Sequence, residues 1–88
     1  MSILIIDDFQ EERDLLFTIL HSAGFGPLLP VGTAREGLQL LGVGKRGKQT
    51  SGIDLVLMDI EMPEIDGLEA CQRIRMEDQL QNLPIIVI

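Results

Sequence analysis

The chain has no tryptophan or tyrosine, a single cysteine, and half as many basic as acidic residues. Because Cys71 is alone, it excludes an internal disulfide and a cysteine-based metal cluster. Seven Lys and Arg residues against 14 Asp and Glu residues leave a formal net charge of -7, so the general field of the chain repels nucleic acid and acidic membranes. We therefore expect no direct nucleic acid binding, and we expect small cations and basic protein surfaces to be favoured.

Long hydrophobic stretches are also missing. No apolar run exceeds five residues, whereas a helix that spans a bilayer needs about 20. The amino terminus, "MSILIIDD", has no basic region and reaches two acids after six residues, unlike a signal or transit peptide. These features predict a cytoplasmic protein with no membrane segment. A sequence of 88 residues has room for one domain at most.

The sequence does contain short apolar runs that alternate with helical patterns. Strands are predicted at about residues 2–6, 27–31, 53–58 and 84–88, and helices at about 9–23, 34–41 and 67–76. This alternation predicts an α/β fold with a parallel sheet and right-handed crossovers. Pro27 and Pro30 lie in the second predicted strand, and proline cannot donate a hydrogen bond to a sheet, so this strand is expected at an edge.

The predicted helices have recognisable starts and apolar faces. Thr33 precedes Glu36 by the three residues of a capping box, and Asp66 has the same spacing from Glu69. Helical spacing predicts one apolar face on the first helix, formed by Leu15, Leu16, Ile19 and Leu20, and another on the third, formed by Leu68, Cys71 and Ile74 or Arg75.

Three aspartates directly follow predicted strands. Asp7 and Asp8 come after the first strand, and Asp59 comes after the third. If these strands are neighbours, the three carboxylates meet at the carboxyl edge of the sheet, where ligands bind in such folds. Taken singly, each acid also fits a structural role, as a helix cap for Asp7 and Asp8 and as a turn-initiating residue for Asp59.

A cluster of these acids needs a counter-ion. Two like charges about 4 Å apart repel by roughly 4 kcal/mol at an effective dielectric of 20. No Lys or Arg occurs before Arg13 or between residues 49 and 72, so we expect a divalent cation. A carboxylate-rich, half-open site suits Mg²⁺. An aspartate beside Mg²⁺ can attack a phosphoryl group, which would make Asp59 an aspartyl phosphate.

Three segments together resemble a known family. The segments "ILIIDD", "DLVLMDIEMPEIDGLEACQRIR" and "LPIIVI" are similar to the receiver domain of two-component response regulators. The resemblance implies a flavodoxin-like fold, a three-layer doubly wound parallel sheet in strand order 2-1-3-4-5. It also implies that Asp59 is the phosphoacceptor, that Asp8 binds Mg²⁺ directly and Asp7 mainly through water, and that the backbone carbonyl of Glu61 is a further ligand.

The sequence departs from the family pattern in two places. The family continues after strand four with a Ser or Thr, a helix, a fifth strand that ends in a lysine, and a closing helix, and none of these is present in residues 1–88. We therefore expect a single, incomplete receiver domain with strand order 2-1-3-4, whose exposed fourth-strand edge favours a homodimer. The second departure is a basic loop at 42–52, expected to be a surface insertion or a docking site for an acidic partner.

The leading functional hypothesis is a signalling phosphoacceptor rather than an enzyme. It would take a phosphoryl group from the phosphohistidine of a sensor histidine kinase or a phosphotransfer protein in a two-component phosphorelay. One alternative is a pseudo-receiver or scaffold that never turns over phosphate. Another is a phosphatase of the haloacid dehalogenase type, although that class has D-x-D after its first strand and this sequence has adjacent acids.

Overall fold

The computed structural model describes residues 1–44 and 52–88. The elements are β1 (Ile3–Ile6), α1 (Gln10–Ser22), β2 (Leu28–Val31), α2 (Ala34–Leu41), β3 (Leu55–Met58), α3 (Gly67–Arg75), a 3-10 turn (Asp78–Leu80) and β4 (Ile85–Val87). None of the helices in these ranges has the length and apolarity that a bilayer crossing requires. The loop expected at 42–52 falls largely on residues 45–51, which lie outside the described residues.

The four strands form one parallel sheet in the order β2-β1-β3-β4. This order confirms the predicted α/β fold and places β1 beside β3. β2 lies at an edge, as the prolines of the predicted strand indicated; Pro27 precedes β2, and Pro30 is paired with Ile5 of β1. An edge position tolerates Pro30 because one side of the strand needs no donor.

Helices cover both faces of β1, which makes the fold three-layered. Successive strand residues point to opposite faces. Leu4 and Ile6 belong to the core cluster that α2 and α3 complete, whereas Ile3 and Ile5 are buried but lie outside that cluster, on the face where α1 packs. Burial on both faces explains why this strand reads as a continuous apolar run.

The predicted helix caps are present. The Thr33 hydroxyl accepts a hydrogen bond from the Glu36 backbone N–H at 3.1 Å, and the Asp66 carboxylate accepts one from the Glu69 N–H at 2.8 Å. Each bond satisfies a backbone donor that has no partner inside the helix. The Asp66 cap fixes the start of α3 directly after the loop that carries Asp59.

Two predicted apolar faces differ from the structure. Leu68 of α3 is 60% exposed, and the buried side of that helix is formed by Ala70 and Ile74, so the prediction for Leu68 was wrong. In α1, Leu15 and Ile19 are more than half exposed, and the helix has no fully buried residue. Helical spacing identified the apolar residues of each helix but not which of them pack against the sheet.

The β4 edge of the sheet is apolar. In the described part of the chain, β4 pairs with β3 and has no strand on its other side. Its residues Ile86 and Val87 are 50% and 39% exposed, and Ile88 is 48% exposed. An apolar strand with unpaired backbone groups is a template for pairing with another strand.

Candidate functional site

The strand register brings the ends of β1 and β3 together. Ile6 is paired with Met58, and the next residue, Asp59, donates its backbone N–H to the Ile6 carbonyl at 2.9 Å. On the other side of β1, the Asp7 N–H donates to the Val31 carbonyl at 3.2 Å. The backbone ladder therefore continues just past the strands and fixes Asp7 and Asp59 side by side.

The three predicted acids form one cluster. One carboxylate oxygen from each of Asp7, Asp8 and Asp59 lies within 4.8 Å of the others. Asp7 is buried, Asp59 is half-buried and Asp8 is exposed. Charges about 5 Å apart repel by roughly 3 kcal/mol at an effective dielectric near 20. Both salt bridges of the described residues lie elsewhere, so no basic side chain is paired with the cluster there.

Asp7 has a buried oxygen without a partner. Its Oδ1 accepts a hydrogen bond from the Phe9 N–H at 2.9 Å, but its Oδ2 is buried and has no hydrogen bond. The residue at the cap position of α1 is Phe9, and that helix has no side-chain cap, so neither aspartate has the N-cap role that the sequence left open. A buried carboxylate oxygen is costly unless something neutralises it, and a cation at the cluster would do so.

Asp59 partly fills the alternative role of a turn-initiating residue. Its Oδ1 accepts a hydrogen bond from the Glu61 N–H at 3.2 Å, which is the bond of an Asx turn. This bond uses one of the two carboxylate oxygens and holds the side chain at the start of the loop. Glu61 itself is exposed. The role of its backbone carbonyl as a ligand remains a prediction.

A glycine allows α3 to begin close to this loop. The Gly67 N–H donates to the Ile60 carbonyl at 2.9 Å. A Cβ at position 67 would lie 2.8 Å from the Asp59 carbonyl oxygen and 2.8 Å from the Ile60 Cα. Both neighbours are backbone atoms that cannot turn away, so only glycine fits without moving the segment that carries Asp59.

Two residues of α1 without an expected role at the site also interact with Asp7, Arg13 through a hydrogen bond and Glu12 through its charge. The Arg13 guanidinium donates a hydrogen bond through Nη1 to the Asp7 backbone carbonyl at 2.7 Å. The negative charge of Asp7 raises the pKa of Glu12, and the charges of Asp59 and Asp8 act in the same direction. Acids in a first helical turn are ordinarily explained by the helix dipole, so the sequence carried no separate signal for Glu12.

The site fits a hard divalent cation. Its donors are all oxygens, one of them is buried without a partner, and Asp8 leaves the cluster open to solvent. Mg²⁺ prefers oxygen ligands and retains several waters, so it suits a site that is open on one side. The coarse prediction of an acidic group able to hold a metal ion is confirmed.

Sequence comparison identifies relatives that cover nearly all of this chain. The family model for the response regulator receiver domain matches residues 3–88. The CAI-1 autoinducer sensor kinase/phosphatase CqsS of Vibrio cholerae is 40% identical over 85 residues, which are 96% of this chain and 11% of that protein. Chemotaxis protein CheY-3 of Vibrio cholerae is 33% identical over 88 residues, or 100% of this chain and 62% of CheY-3.

Solved structures show the same fold. The signal receiver domain of a signal transduction histidine kinase from Syntrophus aciditrophicus is similar with a TM-score of 0.83 and 28% identity, over 99% of this chain and 60% of that one. The N-terminal domain of a response regulator receiver protein from Methanoculleus marisnigri has a TM-score of 0.82 and 28% identity, over 98% of this chain and 63% of that one.

The chain thus spans between 11% and 64% of the first curated relatives that it matches. The family match covers both strands that carry the acids, and the sheet order is the one expected from the sequence. The chain belongs to the response regulator receiver domain family.

Proposed function

We propose that this chain is a phosphoacceptor in two-component signalling and that Asp59 accepts the phosphoryl group. The observation that carries the proposal is the cluster of Asp7, Asp8 and Asp59, together with the unpartnered buried oxygen of Asp7. Asp59 is the half-buried member of the cluster and follows β3 directly. It is therefore held by the sheet and still accessible to a phosphodonor.

Mg²⁺ is the proposed cofactor. The carboxylates of Asp7, Asp8 and Asp59 and the backbone carbonyl of Glu61 would hold it. When bound, the ion supplies positive charge that screens an anionic nucleophile from an anionic phosphoryl group. Without such charge, three acids that already repel one another would also repel the donor.

The proposed chemistry consists of two successive substitutions at phosphorus. A carboxylate oxygen of Asp59 forms a bond to phosphorus, and the bond from phosphorus to the histidine nitrogen of the donor breaks. The product is an acyl phosphate on Asp59. Attack of water on phosphorus then releases inorganic phosphate and restores the carboxylate. The chain thus acts on itself rather than turning over a separate substrate, which is why we propose a signalling component rather than an enzyme.

The proposed phosphodonor is a sensor histidine kinase or a phosphotransfer protein in the cytoplasm. The match to a relative named as a sensor kinase/phosphatase supports this class of partner. The net charge of -7 favours a basic partner surface and disfavours direct contact with nucleic acid. A second copy of the chain, paired through the exposed edge of β4, is a further proposed partner.

Acetyl phosphate tests the proposal without a kinase. The folded chain is incubated with acetyl phosphate and Mg²⁺, and its intact mass is compared with that of Asp59→Asn and of a sample that contains EDTA. We expect one phosphoryl adduct on the parent chain and none in either control. An adduct that survives both controls would contradict the assignment of Asp59 and of the metal.

The same experiment separates the alternative functions. A chain that binds Mg²⁺ but forms no adduct would be a pseudo-receiver or scaffold. A phosphatase of the haloacid dehalogenase type would hydrolyse phosphate esters in repeated turnovers. We therefore expect no release of p-nitrophenol from p-nitrophenyl phosphate, because a phosphate ester is a much weaker phosphoryl donor than acetyl phosphate or phosphohistidine.

A further inference from the structure

The outer edge of β4 presents backbone groups that no strand of the described residues pairs. The Pro84 carbonyl accepts a hydrogen bond from β3 at 3.0 Å, and the Ile88 N–H donates one to β3 at 2.9 Å. Both residues therefore direct their backbone groups toward β3. Because this direction alternates along a strand, Ile86 also faces β3, whereas the N–H and C=O groups of Ile85 and Val87 face outward.

The side chains of β4 lie on two faces of the sheet that differ in their cover. Ile85 packs against the core cluster on the side of α3, and Val87 lies on the same side of the sheet. Ile86 lies on the opposite side, where α1 packs on β1 and β2, and it is 50% exposed. The free edge therefore carries apolar side chains on both faces.

The strand and the segment before it carry no charge. Residues 79–88 contain no Asp, Glu, Lys or Arg, although the whole chain has a net charge of -7. Charged side chains on an edge strand commonly prevent pairing with another strand, and they are missing from this sequence. A second copy of the chain therefore meets no like charge on the strand itself, and a basic partner gains no ion pair there. The edge favours a second copy over a basic protein.

Symmetry restricts how two copies of this strand can pair. Two identical strands form a closed pair when they run antiparallel about a two-fold axis. Opposite residues whose backbone groups point at each other then exchange both N–H···O bonds. An axis at Ile86 sets Ile85 opposite the second copy's Val87, and the reverse, so the outward groups of both residues are bonded. An axis at Ile85 or at Val87 instead leaves the other residue opposite a position outside β4.

We propose that two copies of this chain join through β4 in the antiparallel register centred on Ile86 and form one continuous sheet. This inference rests on the second copy proposed above as a partner, and it adds the direction, the register and the axis of the pair. Because the two β4 strands run in opposite directions, the two acid clusters lie at opposite edges of the joined sheet. Each Asp59 therefore keeps its own access to a phosphodonor.

Disulfide trapping tests the register. Ile86→Cys and Val87→Cys are each made in a chain that carries Cys71→Ala, and both variants are oxidised with diamide at high protein concentration. The two copies of position 86 form a non-hydrogen-bonded pair with Cα atoms about 4.5 Å apart, which a disulfide can span. We therefore expect Ile86→Cys to form a covalent dimer.

Val87→Cys is the matched control on the same strand. The two copies of position 87 lie diagonally across the pair, about 7–8 Å apart, so this variant should cross-link at least about fivefold more slowly. Cross-linking of Val87→Cys at the rate of Ile86→Cys or faster would overturn the register. Failure of both variants to cross-link would overturn the proposed pair.

Hydrogen exchange tests the same pairing in the parent chain, without any substitution. Exchange of single amides is followed by NMR at low and at high chain concentration. We expect the Ile85 and Val87 amides to exchange at least roughly tenfold more slowly at high concentration, because they gain carbonyl partners. The Ile88 N–H, which already donates to the Met58 carbonyl, should change less. Unchanged exchange at Ile85 and Val87 in a sample that light scattering shows to be dimeric would overturn the inference.

Phosphorylation of the trapped dimer separates this inference from the phosphoacceptor proposal. The cross-linked Ile86→Cys dimer is treated with acetyl phosphate and Mg²⁺, and we expect one phosphoryl adduct on each copy. A dimer that forms in the expected register but takes no adduct would support the pairing and contradict the role of Asp59. A chain that takes the adduct but stays monomeric at every concentration would contradict the pairing alone.

Discussion

Arg13 donates a hydrogen bond to the backbone carbonyl of Asp7 across 2.7 Å. This bond joins the first helix to the end of β1 and fixes the backbone from which Asp7 projects. The neighbouring carboxylates of the cluster repel one another, so the segment needs such an anchor. Arg13 acts here as a positioning residue, because it binds the main chain rather than a carboxylate.

Replacing Arg13 should therefore cost more stability than replacing an arginine of a surface ion pair. We expect Arg13→Gln to lower the free energy of unfolding by about 1–2 kcal/mol, since it removes a charge-assisted bond to a part-buried carbonyl. Arg35→Gln is the control. The side chains of Arg35 and its partner Glu64 are 68% and 67% exposed, so its loss should cost about 0.5 kcal/mol or less. Urea unfolding measures both, and equal losses would contradict the anchoring role.

The close approach at Gly67 predicts a second effect on stability. Gly67→Ala places a methyl group 2.8 Å from two backbone atoms of Asp59 and Ile60. We expect a loss of about 1–3 kcal/mol as the loop shifts. Leu68→Ala is the adjacent control, because Leu68 is 60% exposed and its truncation should cost about 0.5 kcal/mol or less. A Gly67→Ala chain with the urea midpoint of the parent would show that this approach is not tight.

The thiol of Cys71 should ionise at a higher pH than an exposed cysteine thiol. Burial raises its pKa, and the charge of Arg75 opposes this only in part. A raised pKa in the folded state means that the neutral thiol stabilises the fold. That stability is present below the unfolded pKa and is lost as the pH rises through the folded pKa.

The rate of alkylation by iodoacetamide as a function of pH measures this shift. We expect the midpoint for the native chain to lie above that of the same chain unfolded in urea, because the thiolate is the reactive form. Arg75→Gln removes the opposing charge and should move the midpoint higher still. A native midpoint at or below the unfolded one would contradict the effect of burial.

The exposed edge of β4 predicts self-association. We expect the chain to form larger species as its concentration rises, measured by size-exclusion chromatography with light scattering. Ile86→Lys should suppress this, because a charge on an edge strand opposes pairing. Met76→Lys is the control, since Met76 is 82% exposed and lies outside the strand. A cooperatively folding monomer at every concentration would exclude the edge as an interface.

Much of the site could be predicted from the sequence because its three aspartates directly follow predicted strands. The runs before Asp7 and Asp59 are buried strands, and adjacent parallel strands bring such residues to one edge. The position of a residue relative to a strand end is readable from sequence. The caps at Thr33 and Asp66 were predictable for a similar reason, because capping is a local bond between residues three apart.

The parts of the fold and of the site that could not be predicted depend on tertiary contacts, which local sequence patterns do not encode. Leu68 has the spacing of an apolar face, but α3 turns Ala70 and Ile74 to the core instead. Glu12 and Arg13 read as ordinary residues of a first helical turn until the packing of α1 brings them to Asp7. A spacing rule identifies neighbours within an element, whereas these contacts depend on how two elements are placed.

The most direct test of the account is to locate the phosphoryl group on the chain. The folded protein is treated with acetyl phosphate and Mg²⁺ and then with borohydride, which reduces an aspartyl phosphate to homoserine and leaves free carboxylates unchanged. Tandem mass spectrometry of the peptides then identifies the altered residue. We expect homoserine at position 59, with Asp7 and Asp8 unaltered. Homoserine at Asp7 or Asp8, with Asp59 unaltered, would contradict it.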